Sequence, residues 1–161
     1  MTTDVSTDSS TVFTILASGA IATIAFDSFG QGLSPLLGFA NLAPVPLATQ
    51  TIQTVFGFTS QPLGYLLHIV TGLVFYTLGW YLIARPIQQR VMPGLPWIVT
   101  AVVYGVVLWV FALYIMAHLV AGNPPFLGFT GITWVALIGH VIFAVVAAWI
   151  MEARGAVLMR D

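Results

Sequence analysis

The segment LPWIVTAVVYGVVLWVFALYIMAHLVA, residues 95–121, runs for 27 residues without an Asp, Glu, Lys or Arg. The hydrocarbon core of a bilayer is about 30 Å thick, and about 20 predominantly apolar residues in a helix cross it. A helix satisfies its own backbone donors and acceptors where water is absent, so it is the form that spans. This stretch therefore reads as a transmembrane helix, and the rest of the chain is read outward from it.

Three further stretches meet the same criterion: residues 12–30, interrupted by Asp27, then 62–84, and 131–152, which closes on Arg154. Proline marks the boundaries, with Pro62 opening the second stretch and Pro86 coming just after it. Pro96 lies in the first turn of the third, and Pro124 and Pro125 lie beyond its end. The expectation is an all-α integral membrane protein, a four-helix transmembrane bundle. Its connections are 31–61, 85–94 and 122–130, and its tails are 1–11 and 153–161.

Composition agrees with the pattern. Hydrophobic residues make up 59% of the 161 and charged residues 6%, where a soluble domain carries about 25% charged. Most of the surface is therefore built for a solvent other than water. The length leaves room for one domain. Cysteine is absent, which excludes disulfides, thiolate chemistry and Cys-based metal sites. A net charge of −1 offers no basic footprint for nucleic acid. Residues 1–11 carry Asp4 and Asp8 but no Lys or Arg. A signal peptide needs a positive n-region, so residue 12 onward is expected to be a retained helix.

The basic residues fall in two places: Arg85 and Arg90 after the second stretch, Arg154 and Arg160 after the fourth. With four spans these share a side, and the positive-inside rule puts both termini in the cytoplasm. The expected location is the inner membrane of a bacterium, multi-pass. Trp80, Tyr81, Trp97 and Trp149 fall at the cytoplasmic helix ends and Trp134 near the other, as an aromatic belt requires.

Residues 31–61 are long for a connection. Within them Ala48, Ile52, Val55 and Phe56 recur at helical spacing, with Thr49, Gln50, Gln53 and Thr54 opposite. This suits a short helix lying flat at the outer surface, or a loop folded over the bundle. A weak internal repeat is also visible. His-Ile-Val-Thr-Gly-Leu-Val begins at His68 and His-Val-Ile-Phe-Ala-Val-Val at His140. Small residues stand four positions to either side, Gly64 and Gly72, then Ala136 and Ala144. The second and fourth helices run the same way, so this would be a 2+2 parallel repeat.

The stretch from Gly19 to Asp27, the Leu67-His68 pair with Gly72 behind it, and Gly139-His140 resemble an uncharacterised bacterial inner-membrane family of the YagU-like kind. The resemblance covers most of the helical part and implies a four-helix membrane protein. It brings no catalytic residues with it.

Ionisable groups inside a bilayer are costly and by default functional. Four qualify, one per helix and all in the outer half: Asp27, His68, His118 and His140. Gly19, Thr23 and Asp27 share one stripe beside Ser18 and Ala22, and such small residues turn a stripe toward neighbouring helices. Structural roles stand beside these. Asp27 can cap the loop after it, His118 can reach interfacial water, and His68 and His140 can bond to a hydroxyl or a helix carbonyl.

Three functional readings fit these residues. The cluster holds a small ligand, proton or transition metal, with Met116 near His118 suiting Cu(I). Alternatively His68 and His140 are the axial ligands of a b-type haem. Or the chain is an accessory or scaffold subunit of a larger membrane complex, respiratory or photosynthetic, whose partners are lipid, other membrane subunits or itself. No motif for nucleophilic or phosphoryl chemistry is present, and an enzyme is the least favoured class.

Overall fold

The computed structural model describes residues 9–158; most of the first tail, with Asp4 and Asp8, and Arg160 lie outside it. Among the described residues every regular element is helical. We number the five principal helices α1 (Ser9–Leu36), α2 (Pro44–Phe56), α3 (Gln61–Val91), α4 (Trp97–Val120) and α5 (Gly131–Ala153). All but α2 are long and apolar enough to cross a membrane. The chain is a multi-pass, all-helical membrane protein.

Two helices are longer than their apolar stretches. Helix α1 begins at Ser9 and runs past Asp27 to Leu36, so Asp27 lies within the helix and not at its end. Helix α3 continues through Pro86 to Val91, and Arg85 and Arg90 are helical where the sequence pattern predicts a loop. A proline clashes with the carbonyl four residues before it and lacks an N–H. Here the preceding residues, Trp80–Ala84, are wound as a wider π turn, which gives the ring room. At about 1.5 Å per residue α1 and α3 rise about 42 and 46 Å. Both exceed the apolar thickness of a bilayer, so they tilt or project from it.

Helix α5 packs against both α1 and α4, and α1 against α3, while α2 lies across α3 and α4. The core has two parts. One gathers Phe26, Leu108, Leu113 and Phe143; the other gathers Ile15, Trp80, Tyr81 and Met151. Trp80 and Tyr81 therefore belong to the interior and not to an aromatic belt. Trp134 and Trp149 stand exposed, as a belt requires. The short turn Pro125–Phe129 between α4 and α5 holds four successive residues at positive φ, Phe126, Leu127, Gly128 and Phe129.

Helix α2 packs against α3 and α4, but with a different buried face from the one its apolar spacing suggests. Val45, Ala48, Thr51 and Ile52 are buried, whereas Val55 and Phe56 are exposed in the last turn before Gly57 reverses the chain at φ +77°. Helices α3 and α5, paired by the repeat, are wound differently: α3 contains two π segments, Thr71–Tyr76 and Trp80–Ala84, and α5 is α-helical throughout.

Without water to drive helices together inside a bilayer, close van der Waals packing does much of the work, and it needs small residues at the crossings. Gly19 lies against the backbone of Leu73, where a methyl would come 2.5 Å from the carbonyl oxygen. At Gly105 a methyl would come 2.6 Å from the Cα of Val141. Backbone cannot step aside as a side chain can. Gly105→Leu is therefore expected to destabilise the detergent-solubilised protein by about 1–3 kcal/mol or more. Gly32→Leu, where an added Cβ meets nothing within 4 Å, should change stability little. Equal melting temperatures for the two variants would place the α4–α5 crossing elsewhere.

Candidate functional site

A stripe of small residues brings α1 against α3: Ser18, Gly19, Ala22 and Thr23 are all buried. That contact delivers Asp27 to His68. The imidazole Nε2 lies 3.1 Å from each carboxylate oxygen, and the His68 and Asp27 side chains are 15% and 29% exposed. A carboxylate only accepts, so Nε2 carries the hydrogen and donates. Gln31, one turn on, donates from Nε2 to Oδ1 of Asp27 at 2.8 Å. The carboxylate thus has partners from its own helix and from α3. Both members precede a wide turn: a π segment begins at Ser28, directly after Asp27, and another at Thr71. Such segments are frequent at functional sites.

His140 stands on α5 and is buried. Its Nδ1 donates to the carbonyl of Ala136, one turn back, at 2.7 Å. The ring meets Phe26 edge-on at 5.1 Å and Tyr76 at 6.1 Å, and Phe26 also reaches His68 at 6.3 Å. Among the described residues no direct bond joins His140 to the Asp27–His68 pair; Phe26 is a contact they share. His118 is employed differently. Its Nδ1 donates to the carbonyl of Asn123 at 2.7 Å, just beyond the end of α4. Asn123 Nδ2 in turn donates to Gln50 Oε1 at 3.0 Å, and Gln50 Nε2 to the Ala121 carbonyl at 3.2 Å. These bonds fasten α2 to the end of α4.

A cavity of about 550 Å³ lies beneath α2, between the four long helices. His68 and His140 line it, with Thr23, Gln50, Asn123 and Tyr76 as further polar groups in a wall that is largely apolar. His118 is not in the wall; Met116 is. The α3 and α4 portions of the wall are drawn largely from their π-wound segments, Thr71–Tyr76 and Phe111–Val120. The hydroxyl oxygen of Thr23 is buried without a partner and faces Gly72, where any side chain would collide with it.

The geometry bears on the ligand classes. Among the described residues no three His, Asp or Glu groups converge as a metal site. For a bis-histidine haem held through both Nε2 atoms, His68 would have to leave Asp27. Neither requirement arises for an uncharged organic molecule in an apolar pocket with a few polar groups, the usual composition of a small-molecule site.

At the opposite end of α3 stands a second charge pair that the intramembrane reading of single residues overlooks. Arg85 grips Glu152 of α5 in a fork, Nε to Oε1 at 2.7 Å and Nη2 to Oε2 at 2.8 Å. Its Nη1 donates to the buried Gln88, which itself donates to the carbonyls of Met92 and Leu95. Arg154 reaches back to Thr14 of α1 at 3.1 Å. Gln31 was within reach of sequence reasoning, since residues four apart on a helix are neighbours. The Gln50–Asn123 bond was not, for 73 residues separate its ends.

Comparison with known proteins adds no relative: no family model, no curated protein and no solved structure matches the chain. The resemblance to the YagU-like family is neither supported nor opposed by this.

Both partners of the Arg85–Glu152 pair are 15% exposed. Removing one member of a fully buried pair costs about 3–5 kcal/mol, and the partial exposure here lowers that to about 1–3 kcal/mol. Glu152→Leu alone should therefore cost about that much, and the double variant Arg85→Met with Glu152→Leu distinctly less. Denaturation in detergent reads both, and additive losses would show that the two groups do not act as a pair.

Proposed function

We propose that this chain is a four-helix bundle of the bacterial inner membrane, with both termini cytoplasmic, that binds or carries a small, largely apolar ligand. The observation that supports it most is the cavity of about 550 Å³ lined by the spanning helices and α2, with His68 and His140 in its wall. Its size falls within the range of ligand pockets, about 300–1,000 Å³. The Asp27–His68 pair supplies hydrogen-bonding capacity inside an apolar surround, where a polar group is expensive and usually functional. A ligand-binding reading uses both histidines; a scaffold reading leaves that space without a use.

The orientation rests on charge. Arg85, Arg90 and Arg154 cluster at one end of α3 and α5, and the segment containing α2 has no Lys or Arg. Because the chain lacks cysteine, single introduced cysteines report topology cleanly. Gln53 and Met92 are exposed, whereas Gln88 is buried and unsuited. A membrane-impermeant thiol reagent on intact cells should label Gln53→Cys and spare Met92→Cys. The reverse pattern would invert the protein.

For the cavity itself, Ala112→Trp fills space without replacing Asp27 or either histidine. Native mass spectrometry of the purified wild type, followed by organic extraction, should show a bound small molecule that this variant lacks. Identical extracts from two folded proteins would remove the cavity as the binding site.

A further inference from the structure

The hydrogen-bond partners of the two histidines constrain what the cavity asks of its occupant. His140 donates from Nδ1 to the Ala136 carbonyl, and His68 donates from Nε2 to Asp27. In a neutral imidazole the remaining nitrogen is an acceptor. These are Nε2 of His140 and Nδ1 of His68, and neither has a hydrogen-bond partner among the described residues. Both histidines belong to the wall of one largely apolar cavity, and so does Thr23, whose hydroxyl is buried and unpartnered. An occupant that brought only acceptors would leave both nitrogens unpaired, a penalty that buried polar groups do not offset elsewhere.

The wall adds shape. Phe26, Tyr76 and Phe143 meet the histidines or one another at angles, Tyr76 lying 5.6 Å from Phe143 at 81° and Phe26 5.1 Å from His140 at 75°. Edge-to-face surroundings of this kind favour another flat ring. The rest of the wall, including Leu47, Leu113, Leu127 and Ile132, offers an aliphatic lining for a tail.

Resting on the ligand-binding reading above, we propose that the cavity takes a lipophilic hydroquinone. Its aromatic ring sits among Phe26, Tyr76 and Phe143, and its hydroxyls donate to His140 and to the Asp27-held His68. The site favours the reduced form over the quinone, because oxidation replaces both donors by acceptors.

The probes are a decyl-substituted benzohydroquinone kept reduced, the matching quinone, and the dimethyl ether of the hydroquinone. All three share ring and tail and differ in donors. Calorimetric titration of the detergent-solubilised full chain should give the hydroquinone a Kd at least tenfold lower than either of the others. His140→Phe should reduce that advantage, since one of the two acceptors is lost, while leaving the affinity for the ether little changed. Should this variant fail to fold, the comparison of three probes on the wild type stands alone. Equal affinity for hydroquinone and ether would overturn hydroxyl recognition and leave the cavity as an apolar site. Binding of none of them overturns the hydroquinone, while the extraction experiment decides separately whether the cavity holds anything.

Discussion

Charge buried away from water must be matched, and in this protein that constraint ties the helices together. The described residues contain two carboxylates, Asp27 and Glu152, and each meets a basic partner on α3. His68 meets Asp27 of α1 near one end, and Arg85 meets Glu152 of α5 near the other. Helix α3 makes its close backbone crossing with α1 at Gly19 and Leu73, between these two pairs. The pairs differ in kind. Arg85 uses a planar guanidinium fork with two parallel bonds, so its contact is a fixed clamp. The Asp27–His68 contact adjoins the cavity, whose wall includes His68.

The clamp also explains how a cavity survives in a structure held by close packing. Cores are normally filled to crystal-like density, and the region around Trp80 and Met151, next to the clamp, obeys this: both are almost wholly buried. Near the other end α3 and α4 loosen into π winding at Thr71–Tyr76 and Phe111–Val120, and the cavity lies beside those segments. Each extra residue in a turn rotates the remainder of the helix by about 100°. Winding of this kind re-aims side chains without breaking the helix. Helix α2 covers the space, fixed to the end of α4 by the Gln50–Asn123 bond.

Much of this architecture was legible because it arises from one-dimensional patterns. Runs of apolar residues locate the four spanning helices, and the small residues of α1 point Asp27 toward a neighbouring helix. The limits are just as physical. Pro86 reads as a terminator because a proline's cost is local, while the π turn that accommodates it depends on the packing of Trp80 and Tyr81. Those two aromatics resemble belt residues for the same reason: composition gives depth along the helix but not which way the helix faces. Among the four candidates, His118 stands near a helix end, where the sequence offers it interfacial water but not its partner. Its bond to the Asn123 carbonyl makes it a fastening for the end of α4, a role set by where the chain turns.

The two remaining histidines illustrate why proximity and function are separate questions. A symmetric reading pairs His68 with His140 through similar flanking residues, yet their bonding is unlike. One is held by a carboxylate from another helix and the other by the carbonyl of its own preceding turn. The two therefore differ in how they are held: His140 is fixed within its own helix, and His68 is tied across to α1. Phe26 stands near both rings, tilted to His68 and edge-on to His140, so one aromatic side chain links the two histidines in the cavity wall.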